Sequence, residues 1–306
     1  NIFIGFSPER LAEGVAIEEF RSFPIVVGGI NDESTEQCAK FWSSTLGVEV
    51  IKVPSCEAAE LVKLADNQWV DLNVALANEL AILCDSLPYD LDILDVIRAA
   101  NSLKKGQHYV NILTPSIGVG GYCLTKDPWF LSSLGDKNGA NMKLPSTGRS
   151  INDMMPGYAA NQIFNHLRAI NATLDETKLA VLGYSFKSNS GDTRFTPMEK
   201  FIGEMLAGGI KNISVFDSTI FPNAKKDERV IWASSWEECL EGADCLVYGA
   251  AHSDIAEISV TQIAEHMSNK GIVYDGRRYL SKDQVSELNN FGISYKGVGR
   301  SFSFEN

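Results

Sequence analysis

Apolar positions along this chain follow a strand-like rhythm, then a helical one, then the first again. Across residues 1–54, short apolar runs alternate with amphipathic stretches. Segments 1–6 (NIFIGF) and 24–29 (PIVVGG) read as buried strands, 33–46 as a helix with Cys38, Phe41 and Trp42 on one face, and 48–53 as a further strand. Ser7 and Pro8 have the chemistry of an N-cap and a first helical residue. From residue 56 to about 87 the repeat is helical, without Gly or Pro, and its apolar positions occupy more than one face. A helix of that kind is a scaffold between domains or a dimer interface. Further helices are expected over 92–100 and over 144–169, the latter entered or interrupted near Pro156. After Asn171 the alternation returns, with strands over 178–185, 212–216, 244–250 and 271–274 and helices over 197–207 and 236–241. This predicts a parallel sheet wound with helices, with ligand groups at the carboxyl ends of the strands.

The expected fold is therefore α/β in three parts. Residues 1–54 read as the remnant of a Rossmann-like domain, the second half of an open sheet whose first half is missing. Residues 55–170 form a central helical domain around the long helix, and 171–306 a C-terminal Rossmann-like parallel-sheet domain. Composition narrows the function. With 306 residues, 44% apolar and 22% charged, the chain is ordinary for a soluble globular protein. A net charge of −12 argues against nucleic acid and anionic membranes as partners, and means an anionic ligand needs a local basic cluster. No apolar run approaches a membrane span, and no signal-peptide pattern opens the chain. Six cysteines without paired spacing suggest neither a disulfide framework nor a metal site, and place the chain in a reducing cytoplasm.

One cysteine stands apart. Cys123 follows Gly118, Gly120 and Gly121, a loop whose backbone can approach a ligand closely, and precedes Lys126 and Asp127. If the stretch after Cys123 is a helical turn, the cation and carboxylate lie on the thiol's side of it. A helix N-terminus and a lysine both favour the reactive thiolate, so this is the layout of a nucleophile. No G-x-G-x-x-G fingerprint and no P-loop lysine motif is present, so nothing in the sequence should receive a dinucleotide's pyrophosphate in the Rossmann manner.

Five motifs in order, SPERLAEG at 7–14, ELVKLADN at 60–67, GVGGYCLTKDP at 118–128, LGYSFKSNSGDTR at 182–194 and YDGRR at 274–278, resemble the UDP-glucose/GDP-mannose dehydrogenases. The resemblance implies NAD-dependent oxidation of the C6 alcohol of a nucleotide sugar (a UDP-hexose or UDP-N-acetylhexosamine) to the uronic acid, and a homodimer packed on the long helix. It makes Cys123 the nucleophile, held first as a thiohemiacetal and then as a thioester. Lys63 and Asn67, one helical turn apart, would stabilise the oxyanion, and Asp127 and Glu9 would activate water and relay protons. It implies substrate contacts from Glu13, Gly120, Gly121, Lys187 and Arg277, and cofactor contacts from Lys126 and Arg194. Asp192 either orients Arg194 or simply pairs with it. Lys187 and Arg277 also follow predicted strands closely, where an open α/β sheet places its ligands. The family carries its glycine fingerprint in an N-terminal half almost wholly missing here, so the chain alone is expected to be inactive.

The chain also departs from the family. Some members carry an arginine before the glycine loop; near Gln107 and His108 there is none, and Arg149 is the candidate replacement as a substrate contact. LAEG at 11–14 resembles the UDP-glucose enzymes, whereas NILTPSIGVGG and DPWFL also resemble those acting on N-acetylated sugars, so the hexose stays open. Two other classes are a non-catalytic nucleotide-sugar-binding fragment and an unrelated thiol enzyme, an acyl transferase or cysteine hydrolase. The latter needs a histidine base at Cys123, and His108, His166, His252 and His266 show no pairing motif.

Overall fold

The computed structural model describes residues 2–300 apart from 13, 221–223, 225, 251 and the side chain of Asn269. It divides into two units, Asn1–Val70 with Lys126–Pro145, and Asp71–Thr125 with Ser146–Asn306.

The first unit carries β1 (Gly5–Phe6), α1 (Ala16–Ser22), β2 (Ile25–Gly29), α2 (Asp32–Leu46) and β3 (Val50–Lys52). Strands β2 and β3 are parallel, joined by the α2 crossover, and β1 lies antiparallel on the other edge of β2. Helix α2 starts where the Asn31 side chain accepts the N–H of Ser34, and stops at Gly47 in the left-handed conformation. Some expectations fail here. The strand expected over 1–6 shrinks to two exposed residues, with Ile2 and Ile4 86% and 52% exposed. Ser7 caps no helix; its hydroxyl donates to Val26 O at 2.8 Å and ties the segment along β2 instead. On α2 the buried residues are Ser34, Thr35 and Ala39, and Phe41 is exposed. Short side chains let α2 lie close to β2, where Thr35 Oγ1 accepts the N–H of Gly29 at 2.9 Å.

Helix α3 (Cys56–Ser86) passes from the first unit into the second, roughly 46 Å for its 31 residues. The second unit continues with α4 (Ile93–Asn101), the hairpin β4 (Lys104–Lys105) and β5 (His108–Tyr109), the start of α5 (Tyr122–Lys137), and α6 (Leu144–Ala169), which runs unbroken through Pro156. Then come β6 (Lys178–Leu182), α7 (Pro197–Ala207), β7 (Asn212–Phe216), β8 (Ile231–Trp232), α8 (Trp236–Leu240), β9 (Ala243–Tyr248), α9 (Ser253–Ala256), α10 (Val260–His266), β10 (Met267–Asp275), α11 (Lys282–Asn290) and β11 (Ser294–Gly297). No described helix is long and apolar enough to cross a membrane.

Six parallel strands form one sheet in the order β11-β10-β9-β6-β7-β8. Successive residues go to opposite faces. Leu179, Val181, Val247 and Tyr274 pack with Met155, Ile163, Phe164 and Phe201 of α6 and α7; Ala180, Leu182, Leu246 and Val273 pack with Leu240, Ile263 and Leu288 of α8, α10 and α11. A parallel sheet covered on both faces explains the unbroken apolar runs of β6 and β9. The chain leaves β6 toward β7 on one side and returns to β9 on the other. Strand order thus reverses between β6 and β9, which opens a crevice at their carboxyl ends.

Helices α3 and α6 are joined by buried polar groups. Asn152 donates to the backbone and side-chain oxygens of Asp71 (2.9 and 2.8 Å), and Asn78 donates to Asn152 (2.9 Å). Arg149 is buried between Asp71, at 2.6 Å, and Asp153. Burial pushes the Asp71 carboxyl above the usual carboxylate range, and Arg149 opposes that rise. Removing the cation alone leaves a buried carboxylate without its counter-charge. Arg149→Met is therefore expected to cost on the order of 3–5 kcal/mol in denaturant unfolding at neutral pH. The loss should shrink in acid: a carboxyl whose folded pKa is raised stabilises the fold below its unfolded pKa and loses that contribution as pH rises through the folded value. An equal loss at pH 5 and pH 8 would contradict the burial of this charge.

Candidate active site

The glycine loop is held from several sides before it reaches α5. Asn73 accepts the N–H of Leu113, Asn78 that of Ser116, and Gly276 O that of Ile117, each within 2.9 Å. A Cβ on Gly120 would lie 2.5 Å from Phe186 Cβ and 2.6 Å from Phe195 O, and one on Gly121, at φ +85°, 2.7 Å from the Phe186 ring. The glycines are therefore needed for close packing against the loop that follows β6, and Gly121 donates its N–H to Arg194 O at 3.1 Å. Cys123 follows in the first turn of α5, exposed and unpaired with another cysteine. No histidine is hydrogen-bonded to it among the described residues, as a cysteine hydrolase would need.

The same packing places Arg194 beside the start of α5. Its guanidinium is held by Asp192 (Nε to Oδ1 2.8 Å, an Nη to Oδ2 2.5 Å) and lies 5.0 Å from the centre of the Tyr122 ring. That hydrogen bond holds the Asp192 carboxyl below its ordinary range. Arg149 is a different case. Pro128 has no N–H for Leu124 O one turn earlier, and an Arg149 Nη donates there at 3.4 Å. With its other bonds to Asp71 and Asp153, this buried guanidinium supports the turn that bears Cys123. A sugar contact was expected from it; here both of its Nη atoms donate to internal acceptors.

Glu9, Lys63, Asn67, Lys126 and Asp127 lie in the first unit, and Glu13 lies outside the described residues. Lys63 Nζ is 3.4 Å from Glu9 Oε2, and Asn67 donates to the buried Asp127 at 2.5 Å. Lys126 pairs with Asp127 and sits over the Phe130 ring. Helices α3 and α5 therefore supply two lysines, an amide and one carboxylate, Glu9 adds a second carboxylate from the segment before α1, and both helices extend into the second unit.

At the carboxyl edge of the sheet, Lys187 follows β6 and Arg277 follows β10. Arg277 donates from Nε to Gly249 O at 2.7 Å and from an Nη to Phe186 O at 3.3 Å. Among the described residues it has no carboxylate partner. Burial pulls its pKa down to about 10, which still leaves it charged at neutral pH. Sequence reasoning missed two further groups of this edge, Asp217 after β7 and His252 after β9. The available signal was a polar residue just beyond a buried parallel strand.

Comparison with known proteins identifies the family. Residues 57–154 match the central domain of the UDP-glucose/GDP-mannose dehydrogenase family, and residues 180–282 match that family's UDP binding domain. The UDP-N-acetyl-D-mannosamine dehydrogenase of Methanococcus maripaludis is 32% identical over 283 residues, 92% of this chain and 61% of that protein. The enzyme of that name from Pyrococcus horikoshii is 30% identical over 300 residues, 98% of this chain and 65% of its own. The solved structure of UDP-D-ManNAc dehydrogenase from P. horikoshii superposes with a TM-score of 0.82, covering 97% of this chain and 65% of that one. The NDP-N-acetyl-D-galactosaminuronic acid dehydrogenase of Methanosarcina mazei Go1, 28% identical, gives 0.85 over 97% of this chain and 62% of its own. The chain thus spans less than two thirds of these relatives. By its central and UDP-binding portions, it belongs to the UDP-glucose/GDP-mannose dehydrogenase family.

Proposed function

We propose that this chain forms the greater part of a nucleotide-sugar 6-dehydrogenase that oxidises the C6 alcohol of a UDP-sugar to the uronic acid. The observation that carries this reading is Arg277, a partly buried guanidinium at the carboxyl edge whose side-chain bonds run to backbone carbonyls. Even partial removal of a charge from water is costly without a counter-ion, and a ligand anion would relieve that cost. The diphosphate of a nucleotide sugar suits it, with Lys187 as the second cation. The relatives named for N-acetylmannosamine and N-acetylgalactosaminuronic acid make a UDP-N-acetylhexosamine the first candidate.

In this reading the C6 alcohol first loses its hydroxyl proton and a hydride to give the aldehyde, and the Cys123 thiolate adds to that carbon, giving a thiohemiacetal. Loss of hydride from that carbon leaves a thioester, and water then attacks it, releasing the carboxylate and restoring the thiolate. Lys63 and Asn67 would donate to the oxyanion, while Asp127 and Glu9 would handle the protons of the alcohol and water. The acceptor of each of the two hydrides would be an NAD. The residues present fit it only in part: Arg194, oriented by Asp192, suits a phosphate, and Lys126 adds a cation, but the sequence has no glycine fingerprint. No step is assigned to it within this chain.

A homodimer is the second element of the proposal. Trp69, Leu76 and Leu83 recur at seven-residue intervals on α3 and are 50%, 44% and 51% exposed, a row of apolar side chains along one helix. Light scattering at micromolar concentration should give twice the chain mass, and Leu76→Arg with Leu83→Arg should give a monomer; a monomeric unmodified chain would contradict the row's role. For the chemistry, Cys123→Ser in the full-length gene product should abolish acid formation from the UDP-sugar, because an alkoxide is a poor substitute for the thiolate. The 306-residue chain alone should turn over nothing. Acid formation by the serine variant at the unmodified rate would remove Cys123 from the mechanism.

A further inference from the structure

We infer that His252 is a positioning residue: it fixes the loop after β6 so that Lys187 stands at the carboxyl edge, an inference that rests on the reading of Lys187 as a diphosphate ligand. The ring is fully buried and both of its nitrogens are engaged. Nδ1 accepts the backbone N–H of Asn189 at 2.9 Å, which assigns the ring proton to Nε2. Nε2 lies 3.1 Å from Asp217 Oδ2 and 3.0 Å from Ser185 Oγ.

Lys187 sits midway between these two anchors. On one side, Asp217 Oδ2 also accepts the N–H groups of Tyr184 and Ser185, at 2.7 and 2.8 Å, and the Ser185 hydroxyl donates to Lys187 O at 3.2 Å. Burial alone would raise the Asp217 pKa, but the bonds from His252, Ser185 and Tyr184 outweigh it and hold the carboxyl well below its usual range. On the other side, Asn189 takes φ +53°, a conformation that asparagine tolerates better than most residues. Its Oδ1 accepts from the backbone and hydroxyl of Ser253 at 2.9 and 3.1 Å. The loop after β6 is thereby stapled to the ends of β7 and β9, the strands flanking β6. His252 bonds to both staples, to Asp217 and to the Asn189 N–H, while Thr219 Oγ1 adds a link from Asp217 to Ser190 O one residue beyond Asn189.

Because the two nitrogens do different jobs, two substitutions separate them. His252→Asn can place an amide oxygen near Nδ1 and keep the acceptor for Asn189. His252→Gln can place an amide N–H near Nε2 and keep the bond to Asp217, but leaves the Asn189 N–H without its acceptor. In the 306-residue chain, amide hydrogen exchange at Asn189 and calorimetric titration with UDP should respond to them oppositely. The Gln variant should exchange faster at Asn189 and bind UDP about fivefold more weakly. The Asn variant should retain protection and affinity within about twofold, although its Tm falls with the lost Asp217 bond. Equal loss of affinity in both variants, or unchanged exchange at Asn189 in the Gln variant, would overturn the inference. If neither variant folds, the unmodified chain decides, since an Asn189 amide exchanging as freely as an exposed loop would equally overturn it. Unchanged UDP affinity in Lys187→Ala would instead remove Lys187 from the site, leaving the tether to the exchange result.

Discussion

A parallel strand covered on both faces can present chemistry only at its ends, and β6 is such a strand. Its residues alternate between two apolar cores, and it is paired on both edges by β7 and β9. Loops at the carboxyl ends of β6, β7, β9 and β10 are therefore where polar side chains of this unit can meet a ligand, and Lys187, Asp217, His252 and Arg277 all lie there. The same constraint explains why the glycine loop lacks side chains at Gly120 and Gly121. It must pass within van der Waals contact of the loop after β6, where Phe186 and Phe195 leave no room for a Cβ.

Much of this was legible along the chain. The long helix ends within a residue of where its apolar repeat ends, because nothing in 56–86 breaks it and Pro88 follows. The central strands of the second sheet were readable because doubly buried strands are continuous apolar runs. Other elements were hidden by composition. Helices α10 and α11 are short and polar, and what starts them is a reciprocal cap, Ser259 with Gln262 and Ser281 with Gln284, a signal weaker than an apolar repeat. The opening strand misled for the opposite reason, since an apolar run does not guarantee partners on both edges.

The site was legible where its chemistry is local and obscure where it is assembled at long range. Cys123, with its glycines and the lysine and carboxylate beyond it, forms one short segment. His252 meets partners 35 and 67 positions away, so no spacing rule marks it. The internal bonds of Arg149 could not be read from the sequence, where a cation near a proposed site resembles a ligand contact. Its acceptors, Asp71 and Leu124 O, lie 78 and 25 positions away, and the second needs a donor because of Pro128. Arg277, by contrast, has no carboxylate partner among the described residues.

The central claim is that this edge holds a diphosphate through partly buried positive charge, and calorimetric titration of the 306-residue chain with UDP and uridine tests it most directly. UDP should bind one per chain, uridine far more weakly, and Arg277→Gln should weaken UDP by at least about tenfold while leaving uridine unchanged. Equal affinity for uridine and UDP, or an Arg277→Gln variant that binds UDP as the unmodified chain does, would contradict it.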